Sequence, residues 1–152
     1  MWQSAHDTYL EDRILSADSL ELVDLLYQAC ATAVEDARRR LVAGEILPRA
    51  RSISKACDIL LELTASLDHE RGGALSRRLA ELYGYMHRLL LDANYRQSAE
   101  ALEEVAGLLT ILQEAWQGVM QDARRTARRQ APWMHAMAQE PELAHASGGW
   151  SF

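Results

Sequence analysis

The sequence predicts an all-α fold: an antiparallel up-down-up-down four-helix bundle with an N-terminal strap and a mobile C-terminal tail. Three observations carry this. Apolar residues recur every three or four positions through four long segments. Short breaks bearing Gly, Pro, Asp or Asn part those segments. The composition leans on Ala, Leu, Glu and Arg, with one Phe and three Pro, a mixture that favours helices over strands. At 152 residues the chain has the length of one domain and can bury a sizeable core. The expected divisions are a strap at 1–17, the bundle at 18–129 and the tail at 130–152.

The first helix is expected to open at Asp18, where Glu21 three residues on completes a capping box. It should end at Gly44, a residue suited to the left-handed position past a helix end. Leu22, Leu26, Ala29, Ala33, Ala37 and Leu41 form its stripe. The second helix starts near Pro48, whose fixed φ suits a first turn. It carries Ala50, Ile53, Cys57, Leu60, Thr64 and Leu67, and stops at SLDHERGGAL, Ser66 to Leu75. There Gly72 and Gly73 supply the unhindered backbone of a tight reversal. The third helix places Leu75, Leu79, Leu82, Met86, Leu89 and Ala93 on one stripe, with Asn94 at a left-handed end. Ser98 caps the fourth, which repeats Leu102, Val105, Leu109, Leu112, Trp116 and Val119. Connections this short force successive helices antiparallel.

Beyond Arg129 the pattern dissolves into QAPWMHAMAQEPELAHASGGWSF, with two prolines and no period, which reads as a mobile tail. Before Asp18, the semi-apolar Tyr9, Leu10, Ile14 and Leu15 are expected to lie along the bundle.

A net charge of -6 argues against nucleic acid or an anionic membrane as the general partner. The basic clusters Arg38–Arg40 and Ala123–Arg129 read as cations near helix C-termini, offsetting the macrodipole. No apolar run is long enough for membrane insertion, and no cationic start precedes an apolar stretch, so a cytoplasmic location is expected. Cys30 and Cys57 read as reduced, small core residues.

Local motifs for catalysis are missing. Glu142 to His145 is the one Glu-x-x-His, and it falls in the irregular tail; a di-iron bundle needs two on packed helices. His69 and Glu70 belong to the reversal, and His87 to the edge of a packed surface. With no phosphate-cradling loop, zinc spacing or nucleophile elbow, neither a catalytic residue, a metal site nor a cofactor is expected. The chain reads as a binding protein and not an enzyme.

The informative excess is apolar. A bundle helix needs an apolar arc a little over 100° wide. The second helix spreads Ile53, Ile59, Leu60, Leu61, Leu63 and Leu67 over roughly 200°. The third spans about 160° from Tyr85 to Tyr83, with Leu91 outside, and Ile111 and Ala115 widen the fourth to about 180°. The strap or tail could cover the excess, a crossing angle could bury it, or it could form a groove for an apolar helical or extended partner.

Several stretches carry a resemblance: YLEDRILSADSLELVDLLYQACATAV, then ACDILLELTASLDHERGGALSRRLAELYGYMHRLLLDAN, then ALEEVAGLLTILQEAW. In order and with matching gaps they are similar to the flagellin-specific export chaperones of bacterial flagella, from about Tyr9 to Trp116. Leu82-Tyr83-Gly84-Tyr85-Met86 follows the family's Leu-Tyr-x-Tyr-Met, whereas Asp18-Ser19-Leu20 departs from its usual Ser-Pro-Glu. The resemblance implies a helical bundle that is no enzyme and binds the unfolded C-terminal segment of flagellin. It further implies that the chaperone prevents premature polymerisation and delivers the client to the flagellar export gate. Carried onto this chain, the groove would be lined by Ile59, Leu63, Leu67, Tyr83, Met86, Leu90, Ile111 and Ala115. The strap would present Tyr9, Ile14 and Leu15. A helical adaptor for another secretion protein or regulator is the competing reading, and a homodimer is compatible with the sequence.

Overall fold

The computed structural model describes the backbone of residues 2–130 and the side chains of residues 19–130. Four helices and no strand make up the described residues: α1 (Trp2–Val42), α2 (Ile46–Ala65), α3 (His69–Arg96) and α4 (Ala99–Gln130). The chain divides into two compact units, residues 1–117 and 118–152. The first unit holds the bundle. The expected tail, with Trp133, Glu142, His145 and Trp150, lies outside the described residues.

Side-chain bonds show the antiparallel arrangement. From α1 to α4, Arg38 pairs with Glu103 at 3.5 Å while Asp24 accepts from Gln117 at 2.9 Å, so one helix descends as the other rises. Arg49 of α2 reaches the Asn94 carbonyl near the end of α3, and Tyr85 of α3 donates to Glu104 of α4.

Helix boundaries differ from the expected ones where a longer-range geometry wins. α1 does not begin at Asp18; it is helical from Trp2, so the backbone of Asp18 lies inside it. No Pro or Gly interrupts residues 2–43, and each amide past the first turn has a carbonyl four residues back. Tyr9, Ile14 and Leu15 thus fall on the helical backbone of α1, and their side chains lie outside the described set. The other end follows expectation. Gly44 takes φ 71°, its N–H donates to Leu41 and that of Glu45 to Arg40, the paired bonds of a Schellman motif. α2 starts at Ile46, two residues before Pro48, whose missing N–H falls among the unpaired amides of a first turn.

The reversal into α3 is also earlier than the glycine pair. Ser66, Leu67 and Asp68 make the turn, and Asp68 is the N-cap, accepting from the amides of Glu70 and Arg71 at 3.1 and 3.0 Å. Gly73, with φ 50° and ψ -123°, then kinks α3 after its first turn. Gly72 is required by contact: a Cβ there would stand 1.8 Å from Ser76 Oγ, which donates to the Asp68 carbonyl at 2.9 Å. At the far end the left-handed residue is Gln97, not Asn94, because the helix continues until the chain must turn into α4. Ser98 accepts from the Ala101 amide as expected.

The core joins Tyr27, Cys30, Val34, Ile53, Leu60, Leu102, Val105 and Leu109 with Ile59, Leu63, Tyr83, Met86 and Leu90. The last five were expected along a groove; all are buried in the structure, Leu63 at 1% exposure and Met86 at 0%, and Tyr83 also lines the furrow described below. The reason is the shape of α1. Its inner face is small (Cys30, Ala33, Ala37), so α2 packs extensively upon it while also facing α3. A helix wedged between two neighbours buries an arc of about 160°, here from Ile59 through Leu63 and Ile53 to Cys57. Leu22 and Leu75, placed on core stripes by spacing, are exposed instead.

Three outcomes follow from this packing. Leu63→Asp is expected to unfold the bundle, because it buries an unpaired charge; circular dichroism at 25 °C would show the lost helix. Asp68→Ala is expected to lower stability by about 1 kcal/mol through the lost cap, read as a shifted urea midpoint. Burial holds the Cys30 and Cys57 thiols up to about 12 and about 11, from an ordinary 9.0. Each group keeps its proton more tightly when folded, so its contribution is complete below pH 9.0 and is lost as pH rises towards about 12. The urea midpoint should therefore hold up to about pH 9 and decline above it.

Candidate functional site

An apolar furrow opens at the end of the bundle formed by the α2–α3 connection. It holds about 210 Å³ and is lined by Val23 of α1, Leu67, then Leu75, Leu79 and Tyr83 of α3, and Trp116 of α4. Ser66, Asp68, Gly72 and Ser76 form its polar end. The capping and kink described above place these groups. Asp68 holds the start of α3 with its carboxylate and anchors Ser76 with its carbonyl. The break at Gly73 sets the first turn of α3 off the line of the rest. Leu75, immediately beyond, lines the furrow yet is 65% exposed, which makes it the mouth.

Aromatic contacts build the wall. The Trp116 indole N–H donates to the Leu20 carbonyl at 2.9 Å, and its ring stands edge-on to Tyr27, with centroids 6.0 Å apart at 82°. Tyr27 in turn shares a short hydroxyl–hydroxyl bond with Tyr83. Burial raises the pKa of both phenols, so both stay neutral and the bond persists at any physiological pH. Three helices are thus tied by three rings.

Of the eight groove residues expected from the sequence, the furrow gathers two, Leu67 and Tyr83. Ile59, Leu63, Met86 and Leu90 lie beneath, in the closed core. Ile111, 63% exposed, and Ala115 sit on the outer surface of α4 and do not line the furrow. Spacing missed Leu75, Leu79 and Trp116 as furrow residues because it assigned them to the core. For Leu75 and Leu79 the one available signal was nearness to the glycine pair, where a helix start cannot be packed on all sides; Trp116 had none. Other exposed apolar residues are Leu22 and Leu25 of α1, Leu61 of α2 and Leu91 of α3.

Among the described residues no cluster of three or more His, Cys, Asp or Glu could hold a metal ion. His69 and Glu70 are exposed on the first turn of α3, and His87 is half-buried. No helix among them is long and apolar enough to cross a membrane. A second hollow, by Arg39, Arg40, Ala43 and Glu45, is charged and contains the Arg40–Glu45 ion pair.

Comparison with known proteins agrees with this architecture. Residues 1–123 match the family model described as flagellar protein FliS. The chain is 40% identical over 111 residues to the flagellar secretion chaperone FliS of Salmonella typhimurium, covering 72% of this chain and 82% of that protein. It is 33% identical over 110 residues to flagellar secretion chaperone FliSB of Pseudomonas aeruginosa, covering 72% and 87%. Against FliS of Bacillus subtilis it is 28% identical over 123 residues, covering 81% and 91%. With matching motifs, an all-helical bundle and a family match that spans most of its length, the chain belongs to the FliS family of flagellar secretion chaperones.

Proposed function

We propose that this chaperone acts in the cytoplasm and binds the unfolded C-terminal segment of flagellin. It keeps that segment from polymerising early and hands it to the flagellar export gate, without catalysis, cofactor or nucleic acid. The observation that carries this reading is the furrow: apolar, open at Leu75 and walled by Trp116 and Tyr83 on a family scaffold. An unfolded client loses several kcal/mol in ordering when it binds. Covering apolar surface offsets that loss at about 25 cal/mol per Å².

The client surface in this proposal runs along Leu67, Leu75 and Tyr83 and continues to Ile111 and Ala115 on α4. Ile59, Leu63, Met86 and Leu90 support it from beneath and hold the wall in place. In this reading the strap residues Tyr9, Ile14 and Leu15 cover part of this surface until the client arrives.

Calorimetric titration with a peptide of the flagellin C-terminal segment tests this directly. Leu75→Asp is expected to weaken binding on the order of tenfold or more, since it places a charge at an apolar mouth. Leu91→Asp, also exposed on α3 but not lining the furrow, should bind as the unaltered chain does. Both should melt like the parent. Equal affinity of Leu75→Asp and the parent would remove the furrow from the site. Absence of binding by the parent chain would favour an adaptor for a different flagellar protein.

A further inference from the structure

We propose that the end of the bundle carrying the α1–α2 and α3–α4 connections docks reversibly on an anionic lipid surface. This end lies opposite the furrow. Arg49, three residues past the start of α2, bonds the Asn94 carbonyl near the end of α3, so Val42, Ile46, Leu47 and Tyr95 gather here. Val42 is 90% and Tyr95 89% exposed, the highest values for large apolar side chains among the described residues. Ile46 and Leu47 are exposed as well. None of the four belongs to the core or packs against it. The turn does not need them either. Its Schellman bonds run between backbone groups, and such connections ordinarily expose polar residues.

Charge complementarity selects the occupant. The chain carries -6 overall, yet between residues 38 and 51 five arginines stand against one acid, Glu45. Arg49 is buried; Arg38, Arg39, Arg40 and Arg51 reach water, and Arg96 adjoins Tyr95. Glu35 and Glu103, which pair with Arg38, Asp36, which pairs with Arg39, and Asp92, which pairs with Arg96, stand about one turn deeper along their helices. Exposed pairs of this kind are weak, so the guanidinium groups can turn outward to lipid phosphates. Glu45, paired with Arg40, and Glu100, in the first turn of α4, are the acids left at the end itself.

Shape separates a bilayer from a protein partner. A protein interface seats its apolar anchors in matching pockets. The hollow at this end is lined by Arg39, Arg40, Ala43 and Glu45 and contains an ion pair, while the apolar side chains stand out into water. A lipid interface needs no preformed counterpart. It takes up protruding aliphatic chains, holds tyrosine at headgroup level and offers phosphates to arginine. No helix among the described residues is long and apolar enough to cross a bilayer, so the contact is interfacial. No furrow residue lies at this end, and the inference holds whether or not the furrow takes a client.

Flotation of the full chain with lipid vesicles tests this. Vesicles of equal parts phosphatidylglycerol and phosphatidylcholine are expected to carry the protein, and phosphatidylcholine alone much less. Added salt should release it. The double variants V42D/L47D and R39E/R96E should each weaken association on the order of tenfold or more. Glu100→Gln should strengthen it severalfold. All of these replace exposed groups and should melt like the parent. R124E/R125E, which reverses basic residues late in α4, should float as the parent does. A parent chain that stays behind with anionic vesicles would overturn the proposal and leave this end to an acidic protein. Equal flotation on both lipids, V42D/L47D and R39E/R96E that float like the parent, or a loss confined to R124E/R125E would also overturn it.

Discussion

Tyr27 is the point on which the rest of the bundle depends. It is buried on α1, its ring meets the edge of Trp116 on α4, and its hydroxyl bonds that of Tyr83 on α3. A phenol can satisfy both demands at once: the ring contributes apolar area, and the hydroxyl finds a partner in an interior that would otherwise penalise it. Because both hydroxyls are withdrawn from water, each constrains the other, and the axial positions of α1 and α3 are locked together. The furrow is a consequence. Its floor and wall are the two rings, Tyr83 and Trp116, that Tyr27 holds in place.

Around this junction the helices divide their labour. α1 offers a face of small residues, and α2 presses its broad apolar arc against that face and against α3. This is why the grease that looked surplus on α2 is consumed indoors. What remains outside is smaller and more scattered: the furrow mouth at Leu75, the edge of α1 at Leu22 and Leu25, Leu61, and Ile111 on α4. For a protein of the FliS family this is a workable design. In the proposed function a packed interior keeps the surface in shape, while separate apolar patches would engage an extended client along its length, each by modest area.

The connections have a second role. Asp68 closes α3 with its carboxylate and fastens Ser76 with its carbonyl, and the two glycines permit this by lacking side chains where one would collide or strain. The turn chemistry that reverses the chain therefore also forms the polar end of the furrow. The quoted stretch SLDHERGGAL carries Asp, His, Glu and Arg, yet its polar atoms serve backbone geometry, and its histidine and glutamate face water.

The sequence by itself determined the helix count, the antiparallel order, the burial of Cys30 and Cys57, the Gly44 and Ser98 ends and the family. These are local or pattern properties: a period of three to four, a cap within three residues, a motif in fixed order. Only the tertiary structure decided which apolar residues remain outside. Spacing puts Leu75 on a core stripe and Leu63 in the surplus, and the structure exposes the first and buries the second, because a helical wheel knows one helix at a time. Whether a side chain is sealed depends on the size of the residue facing it from another helix. The small face of Cys30, Ala33 and Ala37 lets α2 pack close to α1 with Leu63 inside, while the kink at Gly73 leaves Leu75 exposed.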